Sequence, residues 1–296
     1  MVFGLHLPVM KDEVIRFLDP KPGEDFVDCT VGLGGHAFAV LERTGPSGRV
    51  LGVDADPLIL ERLKRRVEGT DYEGRLILVC GSFANLSEIV KRYAFGRVFG
   101  VLFDLGLSSW HLEESGRGFS FLRNEPLDMR YSPENPLTAE AIVNLWSLRD
   151  IERVLRVYGQ ERFARRIAEE IVRSRPLKTT VDLVMAVERA TPSWYHRGRI
   201  HFATRTFQAL RIAVNNELEN LERALPQALD VLDKGGRLVI ISFHSLEDRI
   251  VKNFLREKAK EGAVKILTKK PLRPSKEEVK ENPRARSARL RAALKL

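Results

Sequence analysis

Residues 28–54 read DCTVGLGGHAFAVLERTGPSGRVLGVD. A glycine-rich turn lies between two apolar runs, and an aspartate closes the stretch. Gly32, Gly34 and Ala37 satisfy the G-x-G-x-x-G/A spacing of a nucleotide loop, and Asp54 follows at the distance where a ribose-binding acid stands. The stretch therefore predicts a strand, a tight turn, a helix and a second strand that ends on a carboxylate. It leaves open which nucleotide is held.

Outward from this unit the pattern repeats. Asp25–Cys29, Arg49–Val53, Leu76–Cys80 and Val98–Asp104 are short apolar runs bounded by Gly or charge, and they read as buried strands. Helical patterns lie between them at His36–Arg43, Pro57–Val67 and Asn85–Tyr93, with Pro57 suited to a first helical turn. Such alternation predicts a parallel sheet with crossover helices. It stops after His111. Residues 112–135 are loop-like, and helical periodicity then runs from Leu137 to about Leu232. Within it, Thr138 is a candidate cap, and Val154–Arg173, Thr179–Thr191 and a long segment from Ala203 read as helices. Gly235-Gly236 breaks the chain before RLVIISF (237–243), a fifth core strand, and further strands are expected near Val264–Thr268 and Ala288–Leu294. The expected division is a core of residues 1–112 and 213–296 with a helical domain, 113–212, inserted into it.

Composition narrows the class. The chain has 296 residues, 44% hydrophobic and 30% charged, as in an ordinary globular protein, and no apolar run approaches the length of a membrane span. The opening MVFGLHLPVMKDEV lacks the basic and long apolar regions of a signal peptide. Cys29 and Cys80 form no CxxC, and His196 and His201 do not share a helix face, so neither a disulfide framework nor a metal site is expected. A reducing, cytoplasmic setting suits such a chain. The net charge is +9, and residues 252–296 alone hold 15 Lys+Arg against 5 Asp+Glu, so the basic excess is C-terminal. RARSARLR (284–291) places Arg284, Arg286, Arg289 and Arg291 together, either for the phosphates of a polyanionic partner or as a solvated charged edge.

Ligands of open parallel sheets sit beyond the carboxyl ends of the strands. Those addresses hold Asp28–His36, Asp54–Asp56, Gly81–Phe83 and Asp104–His111. A dinucleotide's pyrophosphate needs a helix N-terminus clear of negative charge. Here Asp28 precedes the glycines, and no second mononucleotide half is evident, so NAD fits poorly. Asp28-x-Thr30-x-Gly32-x-Gly34 instead resembles the acidic-x-Gly-x-Gly-x-Gly motif of methyltransferases that use S-adenosylmethionine (SAM), with Thr30 in place of the first Gly. SAM carries a sulfonium, an ammonium and a single carboxylate, which acids near the loop favour. Asp54 is placed for the ribose hydroxyls and Phe83 for the adenine.

The acceptor is harder to read. Methylation of a cytosine ring carbon usually needs a thiolate, and neither cysteine has an obvious catalytic setting. An exocyclic amine needs only alignment and loss of a proton. Asp104 stands beside the expected methyl position, but DLGLSS replaces the familiar Asp/Asn/Ser-Pro-Pro-aromatic tetrapeptide of amino-methyltransferases.

A wider set of segments carries a more specific likeness. HLPVM (6–10), DCTVGLGGHA (28–37), DADP (54–57), GSF (81–83), FDLGLSS (103–109), RGFSF (117–121), LDMR (127–130), RTFQALRIAVNNEL (205–218), GGRLVIISFHSLEDRIVK (235–252) and RARSARLRA (284–292) together resemble the RsmH/MraW family of small-subunit rRNA cytosine-N4 methyltransferases. The resemblance implies an α/β, Rossmann-like SAM-dependent methyltransferase core with an inserted all-helical domain. It implies a cytidine substrate in the decoding region of 16S rRNA within the small ribosomal subunit, and no membrane partner. It carries the SAM site onto Gly34, Gly35, His36, Asp54, Phe83 and Asp104, with His111 where the family often has Gln. Asp104 thus has two candidate roles, as a catalytic group at the amine or as a cofactor ligand, and the resemblance favours the second. His244 and Ser245, after the fifth strand, read either as target-base contacts or as a turn. Arg117, Phe119 and Phe121 read either as a seat for an unstacked base or as buried loop anchors. Phe207, Leu210, Val214, Leu218 and Leu221 read as one packing stripe, and a homodimer is left open.

Overall fold

The computed structural model describes residues 8–296. His6 and Leu7 of the HLPVM segment lie outside the described residues. The chain forms two compact units, one running to Gly106 and resuming over Leu218–Leu296, the other Leu107–Glu217. The second unit extends beyond residues 113–212 at both ends.

The first unit is built on a seven-stranded sheet: β1 (Asp25–Asp28), β2 (Val50–Asp54), β3 (Leu76–Cys80), β4 (Val98–Asp104), β5 (Leu232–Ser242), β6 (Val264–Ile266) and β7 (Arg289–Lys295). Their spatial order is β3-β2-β1-β4-β5-β7-β6. Neighbours from β3 through β5 pair in parallel, while β7 runs antiparallel between β5 and β6. Successive strand residues face opposite ways, and both faces are covered. Val27, Leu51, Val53 and Phe103 pack with residues of the Leu86–Arg92, Glu217–Val231 and Ser245–Lys260 helices. Phe26, Val50, Leu102 and Val239 pack with residues of the Lys11–Leu18, Gly35–Thr44 and Pro57–Val67 helices. A sheet buried on both faces must read as continuous apolar runs, which is why these strands are visible in the sequence.

The expected break at Gly235-Gly236 falls inside β5. The register passes from Val98↔Leu232 to Gly100↔Arg237, so the residues between Leu232 and Arg237 loop out without ending the strand. Gly235 has φ +80°, which glycine tolerates and a side chain resists.

The second unit is helical, with its own core. The Ala139–Leu145, Leu148–Val157, Ala164–Arg173, Thr180–Ala190 and Thr204–Asn215 helices bury Ile142, Leu155, Ile167, Leu183 and Leu210 against one another. Thr138 caps its helix by accepting the Ala141 N–H at 3.0 Å, and Thr179 and Asp182 form a reciprocal capping box. Two expected helices are each interrupted. Val154–Arg173 breaks at Gly159, where a Cβ would stand 2.7 Å from the carbonyls of Leu155 and Arg205, and Gln160 adopts φ +48°. The segment from Ala203 breaks at Asn216, which adopts a left-handed conformation (φ 49°, ψ 39°). Asn accepts that conformation more readily than most residues. The predicted stripe is therefore not continuous. Phe207, Leu210 and Val214 belong to the helical core, and Leu221 belongs to the sheet core.

The basic tail is built in at its last strand. β7 is an interior strand, and Asp248 on the Ser245–Lys260 helix receives Arg291 Nε at 2.7 Å and an Arg289 guanidinium nitrogen at 3.2 Å. Of the four tail arginines, Arg284 and Arg286 are exposed, whereas Arg291 is buried. Burial works to raise the Asp248 pKa, but the Arg291 hydrogen bonds and the two guanidinium charges outweigh it and hold the carboxyl below its ordinary value. Asp248→Ala should therefore destabilise the protein by about 3 kcal/mol at neutral pH, because it strands buried positive charge. A depressed carboxyl pKa stabilises fully above the unfolded value, about 3.9, and that contribution is lost as pH falls through the folded value. Urea unfolding at a series of pH values should show the variant's deficit closing below about pH 4.

Candidate functional site

The turn after β1 is shaped by its glycines and held by an acid from the next strand. Gly32 and Gly34 have φ +50° and +83°. A Cβ at Gly34 would lie 2.7 Å from a Leu63 methyl, so the turn must pass close over the Pro57–Val67 helix without a side chain. Asp54, at the end of β2, accepts the Gly32 N–H on Oδ2 and the Asp56 N–H on Oδ1, both at 3.0 Å. A carboxylate offers about four acceptor sites, so two backbone bonds orient it without exhausting it. Asp56 in turn caps the Pro57–Val67 helix through the Leu58 N–H. The Gly81 N–H bonds the Asp54 carbonyl at 2.9 Å, which fixes the end of β3 beside the same acid. Phe83 follows, partly buried, its ring edge-on to Phe103 at 5.6 Å.

Across the turn a polar cluster sits almost out of water. Asp28 is 4% exposed and His36 5%. His36 opens the Gly35–Thr44 helix, and its Nε2 lies 3.5 Å from Asp104 Oδ2 at the end of β4. Both ring nitrogens of His36 and Oδ1 of Asp104 are buried without a hydrogen-bond partner. Unmatched buried polar atoms are costly, and their concentration at one strand edge marks a place where a polar ligand completes the bonding. The Asp104 N–H is anchored on Thr30 Oγ1 at 2.7 Å, and the Thr30 N–H donates to Asp28 Oδ1 at 3.1 Å. Burial raises the Asp28 pKa to about 6, opposed by His36 and the Thr30 N–H and assisted by Asp104 and Asp54. Burial and the Asp28 charge also push the Cys29 thiol up, so it keeps its proton and is no nucleophile.

Gly34, Gly35, His36, Asp54, Phe83 and Asp104 thus all belong to the first unit, at the carboxyl ends of β1 to β4. The donor set suits SAM: orphaned acceptors and an imidazole for polar groups, acids for a cation, and a turn with no room for side chains. His111 belongs to the helical unit. Its Nδ1 is 2.8 Å from Ser108 Oγ, and Trp110, Phe119 and Tyr131 surround the ring at 5.0–5.4 Å.

For two alternatives left open by the sequence, the structure shows the packing and capping contacts these residues make. Arg117 donates to the carbonyls of Arg130 and Tyr131, both at 2.9 Å, Phe119 stacks on Tyr131, and Phe121 stacks on His201. RGFSF is a set of loop anchors. His244 caps the Ser245–Lys260 helix and forms a capping box with Glu247, so FHSLED is a turn that launches that helix. Asp28 and Thr30 belong to the motif but not to the SAM-site residues that the resemblance carries over, and Thr30 standing where the motif has Gly is the signal in the sequence. A hydroxyl there ties β1 to β4.

Residues 4–296 match the profile of the MraW methylase family. The ribosomal RNA small subunit methyltransferase H of Thermotoga neapolitana is 50% identical over 291 residues, covering 97% of this chain and 95% of its own. The protein of the same name from Dehalococcoides mccartyi (strain BAV1) is 47% identical over 307 residues, covering 97% and 86%. That from Persephonella marina is 45% identical over 294 residues, covering 98% and 99%. The chain belongs to the MraW methylase family, and its methyl donor is SAM.

Two measurements check the site. Asp54→Ala should weaken SAM by about 1.5–3 kcal/mol in calorimetry, the worth of hydrogen bonds to a charged group; unchanged affinity would remove Asp54 from the cofactor. Asp28→Asn tests the buried acid in the free protein. A carboxyl pKa raised by folding costs stability above the folded value, about 6, and that cost vanishes below the unfolded value. The variant should gain about 2–3 kcal/mol over the parent above pH 7 and nothing near pH 4. A gain independent of pH would show that Asp28 is not the titrating group.

Proposed function

We propose that this MraW-family methylase transfers the methyl group of SAM to the exocyclic N4 of a cytidine in the decoding region of 16S rRNA, acting on the small ribosomal subunit. Its relatives' names supply the small-subunit RNA, and the resemblance of the FHSLEDR and RTFQALR segments supplies the cytidine. The observation that carries the reading is the Asp104–His36 pair, a half-buried carboxylate with one buried oxygen left unmatched among the described residues, beside a buried imidazole at the end of β4.

Bound SAM supplies a methyl group made electrophilic by its sulfonium. Asp54 would orient the ribose, Phe83 would flank the adenine, and the turn at Gly32–Gly35 would accommodate the methionine carboxylate with its N–H groups. Cytosine N4 is a weak nucleophile because its lone pair is drawn into the ring. The chain then has two tasks: to align the amine with the methyl carbon and to favour charge building on nitrogen. An acceptor of this kind asks for no thiolate, which accords with the protonated, buried Cys29. The helical unit, with its separate core, is the element assigned to substrate docking. Asp104 is assigned to the cofactor, since its carboxylate shares the imidazole of the SAM turn.

Incubation with labelled SAM and unmodified small subunits should place the label on N4 of one 16S cytidine. Label on a ring carbon, or on another nucleotide, would overturn the assignment. Asp104→Asn separates the two roles of that residue, because the amide keeps the shape and loses the charge. SAM affinity and turnover should fall together. A loss of about 100-fold in turnover with SAM binding intact would move Asp104 to the reacting amine.

A further inference from the structure

In WYHRGRIH (194–201), His201 stacks on Phe121 at the helical core, while Trp194, Arg197 and Arg199 serve neither the cofactor turn nor a core. Trp194 is 56% exposed, an unusual position for so large an apolar ring. It is nevertheless held firmly from behind. Phe163 meets it edge-on at 5.8 Å and Tyr195 at 6.0 Å. The Tyr195 hydroxyl donates to Glu161 at 2.8 Å, and the other oxygen of that buried carboxylate receives the Phe163 N–H at 2.9 Å. His196 is tied to Thr191 Oγ1 at 2.9 Å. The Arg162 guanidinium lies 5.5 Å from the Trp194 ring centre, against it rather than against an acid.

Along this stretch charge is of one sign, while the buried Glu161 behind the ring is engaged by Tyr195 and the Phe163 N–H. Arg197 and Arg199 are exposed, no acid occurs between Thr191 and Phe202, and among the described residues neither arginine has an ion pair. A fixed aromatic ring beside unpaired guanidinium groups is the arrangement that binds unpaired nucleotides, with a base stacked on the ring and phosphates on the cations. A protein partner would be expected to bring acids of its own or to cover a wider apolar face. A polyphosphate strand with exposed bases matches the ring and the charge together.

We propose that Trp194, backed by Arg162 and flanked by Arg197 and Arg199, is a stacking platform for an unpaired segment of the substrate RNA. The proposal rests on the rRNA reading above. The platform adds affinity and register without touching the reacting atoms.

The test is anisotropy of a labelled single-stranded RNA of mixed sequence, titrated with the full-length protein. Trp194→Ala should weaken binding about tenfold, and Trp194→Phe, which keeps a π-face, should restore most of it. Arg197→Ala with Arg199→Ala should flatten the log-affinity against log-salt slope by about 1.4, the contribution of two single-strand phosphate contacts. SAM affinity serves as the check that each variant is folded. RNA affinity and salt slope that stay unmoved overturn the platform, as does an unaltered protein that binds no RNA. Weakened binding to small subunits with unchanged oligonucleotide binding overturns it too, and assigns the face to a ribosomal protein. Methyl transfer is scored separately. Intact RNA binding without transfer to small subunits would overturn the assigned reaction and leave the platform standing.

Discussion

The hydrogen bond from the Asp104 N–H to Thr30 Oγ1, 2.7 Å long, closes the sheet between β1 and β4, where the order of its parallel strands reverses. From β1 the chain steps outward to β2 and β3, then returns to lay β4 on the other side of β1. The segments leaving β1 and β4 therefore diverge, and the crevice between them is where an α/β sheet takes its ligand. Such a gap would splay without a tie. Thr30 provides it with a side chain, leaving the glycines two and four residues later free to turn. Cys29 N–H bonding to the Leu102 carbonyl and Leu105 N–H bonding to the Ile241 carbonyl continue the same pairing on either side. The positions of Asp28, His36 and Asp104 all follow from this closure, and so does the exclusion of Asp28 and His36 from water.

That exclusion sets the chemistry. Burial makes the Asp28 carboxyl resist ionisation, and a positive group brought beside it would oppose that. A site of this kind repels a pyrophosphate and rewards a sulfonium and an ammonium. The glycine spacing of the turn alone admits a dinucleotide as readily as SAM. The decision lies in the acids around it, Asp28 before the turn, Asp54 beneath it and Asp104 across from it.

The first four strands and their helices are legible because both faces of the sheet are buried, and apolar runs with abrupt polar ends leave few other readings. Asp54 and Asp104 are legible for the same reason, since each is the first acid after an apolar run. Other features depend on contacts no local pattern reports. The helix from Thr204 ends at Asn216 because the next turns serve another core, yet the stripe Phe207, Leu210, Val214 continues in phase to Leu221. RGFSF has the composition of a base-binding loop, but the carbonyls that occupy Arg117 come from Arg130 and Tyr131, 13 and 14 residues on. His244 stands where a target-base contact or a turn is expected, and only the fold shows the capping box it forms with Glu247.

Charge is the clearest case of a correct count with a misleading address. The C-terminal segment carries the basic excess, yet its buried arginine and its neighbour Arg289 are bound to Asp248, where they hold β7 against the Ser245–Lys260 helix. Guanidinium groups in such a pair are oriented and desolvated, so they cannot also turn outward to phosphate. Arg284 and Arg286 of the same segment are exposed, as are Arg197 and Arg199 of the proposed platform, and exposure is the first condition for a cation that meets a polyanion. What distinguishes a binding arginine from a structural one is therefore its exposure and its aromatic neighbour. Density of positive charge along the chain reports neither, because a strand interior and an exposed turn use the same residue for opposite ends.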